Sequence, residues 1–381
     1  MTVIEKTTDD LTLHDIADKP AFVTLTDLMK FSPYLQYDSQ ALNQAERLAQ
    51  LKKTPMNSVI ADKIRGVIFG QAIGDALGFG TEWIPKSQVK QEYPDGLRNY
   101  NQIVRYRNIS GWVPGDWTDD TDQMLCILDS LLDRQQVDLL DIARRFHHWA
   151  MTDGMGMGQT VYSVVHSPDF LQNPHLVAKR IWEASEKKAA ANGGVMRTSV
   201  LGIWEYNSTA KVRLNAEQVC QITHYDPRCV GSCVAVSLAI AAMLGGETNI
   251  PSLIESVALA VQEYHPSILE YFDFSANLSL EALDLDEGLN PGETGGTGYT
   301  LKTMAAGFWA LNHAQSYEDG ILQIIHEGGD AGTNAAVAGA LLGARFGYKN
   351  IPQQWVKELV YEQQLNNRVE KVIAQIEKKI L

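Results

Sequence analysis

Two stretches of the 381-residue chain gather carboxylates and hydroxyls immediately ahead of an apolar run. The first is GDWTDDTDQM, residues Gly115 to Met124. Pro114 and Gly115 mark a loop, and Thr118 is placed to cap a helix running through MLCILDSLL. Asp119 and Asp120 then fall in the first helical turn, where the dipole favours negative charge by about 0.3–1 kcal/mol each. Two adjacent carboxylates and a hydroxyl at one turn equally present oxygens to a hard cation such as magnesium, which keeps waters in its other positions. Taken alone, the stretch fits either role.

The second stretch is GGDAGTNAAVAGALLGARFGY, beginning at Gly328, where Asp330 and Thr333 again precede an Ala-rich helix. One acid–hydroxyl cluster before a helix is a cap; two suggest a shared site. Further polar islands interrupt apolar surroundings. GDALGFGTEW leaves Glu82 just beyond a glycine-rich helix end. GMGMGQT, with Gly156, Met157 and Gly158 at its centre, offers flexible backbone amides suited to cradling phosphate. NGGVMRT, containing Gly194 and Met196, could do the same beside a sugar, and THYDPR puts His224 and Asp226 before another helix. Each island singly reads as a turn or a cap. Together they are hard to explain that way.

The elements that must position these residues are helical. IADKIRGVIFGQAIGDALG sets Gly66, Gly70, Gly74 and Gly78 four apart on one face. Glycine costs up to about 1 kcal/mol of helix propensity, so a row of them implies another backbone packed very close. Helices are also expected around DQMLCILDSLLD, LLDIARRFHHWA, CVGSCVAVSLAIAAML, TGYTLKTMAAGFWALNHA and TNAAVAGALLGARFG, with NPGETGGTGY as a glycine-rich loop. No alternating strand pattern or hairpin dipeptide appears. The expected architecture is all-α: one compact helical domain over 58–381, preceded by an extension over 1–57. The extension carries Pro20, Pro33 and Pro55, the apolar and aromatic stretch Phe22 to Tyr37, and a helix opening after Ser39.

Composition narrows the partners. A formal net charge of −14 argues against a protein that neutralises nucleic-acid phosphates. Cys126, Cys220, Cys229 and Cys233 form no CxxC pair, and Cys229 and Cys233 lie one helical turn apart in an apolar run, which reads as packing rather than zinc. The N-terminal MTVIEKTTDDLTLHD lacks the apolar centre of a signal peptide, and CVGSCVAVSLAIAAMLGG, with Ser232 and Ser237, reads as a core helix rather than a membrane span. The expected location is the cytoplasm.

Five motifs in order, GxxxGxxxGDALG…E, GxWTDDTxxM, NGGVMR, THxDP and GxD…TNAAxAGALLGA, run from about Ile60 to Arg345 and resemble the ADP-ribosylglycohydrolase family. The resemblance implies an all-α fold, two magnesium ions, and hydrolysis of the bond joining ADP-ribose to a protein side chain or small acceptor. It aligns Thr118, Asp119 and Asp120 with the first metal-ligand group and Asp330 and Thr333 with part of the second. Glu82 takes the essential glutamate position, with Asp119 beside it in the catalytic centre. Gly156, Met157 and Gly158 match the phosphate loop, and Gly194, Met196 and His224 fall in segments lining the ADP-ribose cleft. One departure stands out: many relatives carry DxDT in the last motif, whereas Gly332 occupies the second aspartate position here, so one or two magnesium ions are expected, the second bound more weakly, shifted or lost.

The mechanism so implied has a metal orienting ribose hydroxyls while Glu82 moves a proton. The expected substrate is an ADP-ribosylated protein, arginine-linked in the first instance. Gly332 keeps a second reading open, a catalytically silent ADP-ribose or toxin binder. Residues 1–57 resemble in layout the arm by which bacterial immunity hydrolases plug an ADP-ribosyltransferase toxin; an extension that merely covers its own domain is the alternative.

Overall fold

The computed structural model describes residues 58–104, 111–287 and 295–380. The extension over 1–57, with its expected helix and arm, lies outside the described residues, as does part of the 290–299 loop.

The chain order of helices is α1 Ser58–Gly78, α2 Lys86–Glu92, α3 Asp119–Arg134, α4 Leu139–Thr152, α5 Gln159–Val165, α6 Pro174–Ala184, α7 Ser199–Ile203 and α8 Thr209–Cys220. There follow α9 Pro227–Leu244, α10 Ile250–Val261, α11 Ser267–Asn277, α12 Thr300–His313, α13 Tyr317–Ile325, α14 Ala331–Phe346, α15 Gln353–Lys357 and α16 Glu362–Ile380. The fold is all-α, as expected. Among the described residues the only sheet is a two-residue antiparallel pair, β1 Ile84–Pro85 against β2 Gly328–Gly329.

The glycine row of α1 meets its partner in α14. A β-carbon on Gly70 would drive into the carbonyl of Gly339, and one on Gly339 into the carbonyl of Gly70. Gly66 and Gly343 exclude side chains from each other in the same reciprocal way. The two helices run antiparallel in backbone contact, each contributing small residues four apart, which is the ridge spacing of close helix packing. Tyr317 on α13 closes over the seam, its hydroxyl donating to the Gly70 carbonyl at 2.7 Å. Propensity lost to glycine is offset by dense contact along a face no other residue could form.

Helix α9 is long and apolar enough to cross a membrane, but 89% of it is buried inside the protein. Its Cys229 and Cys233 are buried free thiols, as packing residues should be.

Candidate active site

The C-terminal end of α1 and the N-terminal end of α14 open at the same side of the molecule, and there the polar islands converge. Just past α1 a short helical turn, Phe79–Thr81, leads to Glu82. Trp83 follows in the left-handed region at φ 57, a conformation few non-glycine residues adopt, and its amide donates to the Gly329 carbonyl at 2.6 Å. The β1–β2 pair thus ties the segment after Glu82 to the segment before Asp330. A cleft lined by Glu82, Trp83 and Asp330 lies between them.

Most of the residues singled out in the sequence line this cleft: Glu82, Asp119, Asp120, Gly156, Gly158, Met196, His224, Asp330 and Thr333. Three do not. Thr118 lies behind the wall, its hydroxyl donating to Asp75 at 2.8 Å, with Asp120 also in reach at 3.1 Å. Met157 packs against the hydrophobic core. Gly194 faces inward, where a β-carbon would sit 3.0 Å from the Cys220 sulfur; its neighbour Gly193 is the one at the cleft.

The two helix starts do not cap themselves. Thr118 occupies the N-cap position of α3 but makes no side-chain cap bond. Asp75, in the last turn of α1, does that work instead. Its carboxylate accepts from the amides of Thr118 and Thr121 at 3.0–3.1 Å and from the Thr121 hydroxyl at 2.7 Å. Asp330 sits at the N-cap of α14, again without a cap bond, and accepts from the Asn192 amide at 2.8 Å. Asp119 and Asp120 at the start of α3 and Asp330 at the start of α14 line the cleft.

Charge is crowded here. Burial first, then the neighbouring carboxylates of Asp330, Asp120 and Asp75, push Glu82 well above the usual carboxylate range. Asp119 and Asp120 are raised in the same way, by burial and then by their acidic neighbours. Burial raises Asp330, eased by Asn192 and Thr333, and lifts Asp75 to about 6 despite the bonds it accepts. Five carboxylates in one buried region carry a strong demand for positive charge. Oxygen Oδ1 of Asp120 is buried with no hydrogen-bond partner. Among the described residues no three Asp, Glu, His or Cys side chains close into a ready-made metal cage. The donors on offer are carboxylates and threonine hydroxyls with room for water, which is the chemistry of magnesium rather than of zinc.

The glycine loop touches this cluster directly. Gly156 has φ 82, and a β-carbon there would fall 2.5 Å from Asp119 Oδ1, so only glycine brings the loop backbone this close. Gly158 by contrast opens onto free space.

Several residues at the site escaped sequence reasoning. Gln71 on α1 is fully buried and donates to the carbonyls of Asp120 and Met196 at 3.1 and 2.9 Å, tying two walls to the glycine helix. An acid and an amide inside an apolar glycine helix were the available signal for Asp75 and Gln71. Trp83, 38% exposed at the cleft, follows Glu82 with no pattern to mark it. Arg197, fully buried, lay within a quoted motif without a role.

The ADP-ribosylglycohydrolase family model matches residues 56–380. The chain is 23% identical over 316 residues to ADP-ribosylarginine hydrolase Tri1 of Serratia proteamaculans, covering 82% of this chain and 79% of that one. It is 23% identical over 320 residues to the ADP-ribosyl-[dinitrogen reductase] glycohydrolase of Rhodospirillum rubrum, covering 83% and 97%. A solved ADP-ribosylglycohydrolase-related protein complex superposes with a TM-score of 0.62 at 23% identity, over 84% of this chain and 99% of that one.

Proposed function

The chain belongs to the ADP-ribosylglycohydrolase family, and from that premise we propose that it is a magnesium-dependent hydrolase that frees ADP-ribose from modified arginine side chains. Removal of ADP-ribose is the activity of the family; the metal and the arginine linkage are the finer reading. The observation that carries it is the convergence of Glu82, Asp119, Asp120 and Asp330 on one cleft, where burial, joined for Glu82, Asp119 and Asp120 by mutual repulsion, makes each carboxyl hold its proton more tightly than usual. Relatives named for arginine-linked ADP-ribose support the acceptor.

Asp119, Asp120 and Asp330, with Thr333 lining the same cleft and Thr118 standing behind it, would hold the metal. When bound, magnesium supplies positive charge that fixes ribose hydroxyls and offsets the carboxylates. Glu82 holds or takes a proton at its carboxylate beside the anomeric carbon. Water adds to that carbon and gives one proton to the Glu82 carboxylate; the bond to the guanidine nitrogen breaks with its electron pair, and the departing nitrogen takes that proton, giving ADP-ribose and free arginine. The backbone of Gly156 and Gly158 holds the diphosphate, so an acidic protein meets an anionic ligand through amides rather than cations.

The test is release of free ADP-ribose from ADP-ribosylarginine protein, with magnesium and with chelator, beside an Asp119→Ala control. Magnesium-dependent release lost in the control supports the reading. Binding of ADP-ribose without release from any linkage would make the protein a silent binder. Engagement of an ADP-ribosyltransferase toxin by residues 1–57 is a separate proposal, resting on the aromatic stretch Phe22 to Tyr37. Unchanged toxin binding after deletion of 1–57 would sink it.

A further inference from the structure

Arg197 is fully buried, yet none of its hydrogen bonds goes to a carboxylate. Its guanidinium lies over the Phe146 ring, 4.4 Å from the centroid, and bridges Gln123 on α3 and Thr223 ahead of α9. Nη1 donates to Gln123 Oε1 at 2.5 Å, and Nη2 donates to the Thr223 hydroxyl at 2.6 Å.

An arginine can only donate, so each contact dictates the direction of the next. Gln123 must turn its oxygen to Arg197, which leaves its amide nitrogen to donate to Asp119 Oδ2 at 3.2 Å. The Thr223 oxygen is already an acceptor, and the acceptor within reach of its proton is His224 Nδ1, at 2.8 Å. Thr223 is buried and makes no other side-chain bond. The proton therefore points at Nδ1, and Nδ1 cannot itself carry one.

The imidazole is neutral, because burial first and the Arg197 charge second push it down to about 3. A neutral ring that accepts at Nδ1 carries its proton on Nε2. That atom is buried and has no protein partner. It lies beside Gly193 at the cleft wall, where a β-carbon would stand 3.0 Å from it, so any side chain at that position would crowd the N–H. Native proteins rarely leave a buried donor unmatched without a use for it.

We propose that Arg197 is a positioning residue which, acting through Thr223, locks His224 as an N–H donor toward an oxygen of the bound ligand. Resting on the hydrolase reading, that ligand is ADP-ribose, and the acceptor is a ribose or phosphate oxygen. The arrangement discriminates: an oxygen acceptor completes it, while a cationic or donor-only group meets an opposing N–H.

The experiment uses the full chain with magnesium. Nitrogen-15 NMR of the imidazole reads the tautomer in the ligand-free protein, so it does not depend on any activity. The wild type is expected to show the Nε2–H form alone. Thr223→Val, nearly isosteric, should release the lock and give a mixed or Nδ1–H population. The same change should weaken ADP-ribose binding about tenfold, raising KM more than it lowers kcat. Thr223→Ser, which keeps the hydroxyl, should restore both. Arg197→Lys should reproduce the valine variant, and melting curves identify any variant that has merely unfolded. An Nδ1–H ring in the wild type would overturn the proposal, as would a folded Thr223→Val protein with unchanged tautomer and affinity. Failure of the hydrolase reading shows separately, as a wild-type protein that does not bind ADP-ribose at all.

Discussion

The Glu82 carboxylate occupies the space in which a side chain at position 332 would begin: a β-carbon built on Gly332 falls 2.5 Å from Glu82 Oε2. The glycine that departs from the family's second aspartate therefore has a local reason. It admits a carboxylate from the opposite side of the cleft, and the chain delivers that carboxylate from the end of α1.

Gly332→Ala is expected to displace Glu82 and lower kcat for ADP-ribose release at least tenfold. The melting temperature should move by only a few degrees, because the displaced atom is the free end of a flexible side chain. Gly332→Asp, which adds both bulk and charge, should be more damaging than alanine. An alanine variant of wild-type activity would show that the position of Glu82 at rest is irrelevant to turnover.

Glu82→Gln keeps the shape and removes the proton traffic. A positioned acid–base group contributes roughly 10²–10⁴ in rate, so kcat should fall within that range while ADP-ribose affinity stays near wild type. Isothermal titration beside steady-state kinetics separates the two effects. Equal losses in affinity and rate would assign Glu82 to binding alone.

The seam between α1 and α14 should tolerate no side chain. Gly70→Ala places a methyl in the Gly339 carbonyl and is expected to cost about 3 kcal/mol or more of unfolding free energy, read by urea denaturation. Gly158→Ala supplies the contrast. Its β-carbon meets open space at an ordinary φ of −69, so stability should be unchanged. ADP-ribose affinity should nevertheless drop, since the added methyl stands where the diphosphate is proposed to lie.

His224 predicts a slope of stability against pH. Burial and Arg197 hold its folded value at about 3, below the ordinary 6.5. Below 6.5 the unfolded chain takes up a proton that the folded protein refuses. The contribution is therefore complete above about 6.5 and is lost as pH falls toward 3, at up to ~1.4 kcal/mol per unit. Between pH 7 and pH 5 the wild type should lose about 1–2 kcal/mol more than His224→Gln in denaturant titrations. Parallel losses would mean that the ring titrates freely in the native state.

The sequence made one side of the central contact legible. Gly66, Gly70, Gly74 and Gly78 announce a close backbone because glycine has no other reason to recur in a helix at that interval. Their partners Gly339 and Gly343 were visible only as another Ala-rich helix, since nothing in a single chain states which of several such helices meets which. The carboxylates of the site were found for a similar reason: Asp119, Asp120 and Asp330 sit where polar groups interrupt apolar runs. Asp75, Gln71 and Arg197 were harder. Each acts through bonds to residues at least 26 positions away, and a bond of that kind leaves no local spacing to read. Thr118 looked like a helix cap because its position is one, while the bonds that make the cap come from Asp75.

The paired glycine stripes also limit how genes for such proteins can change in length. A helix turns about 100° per residue. One codon inserted or deleted within α1 would swing half its small residues out of the seam and carry Asp75 away from the start of α3. The same event in α14 would misplace either the stripe or Asp330. Insertions and deletions are thus confined to the loops, and these two helices should vary by substitution alone, with changes at facing positions arriving together.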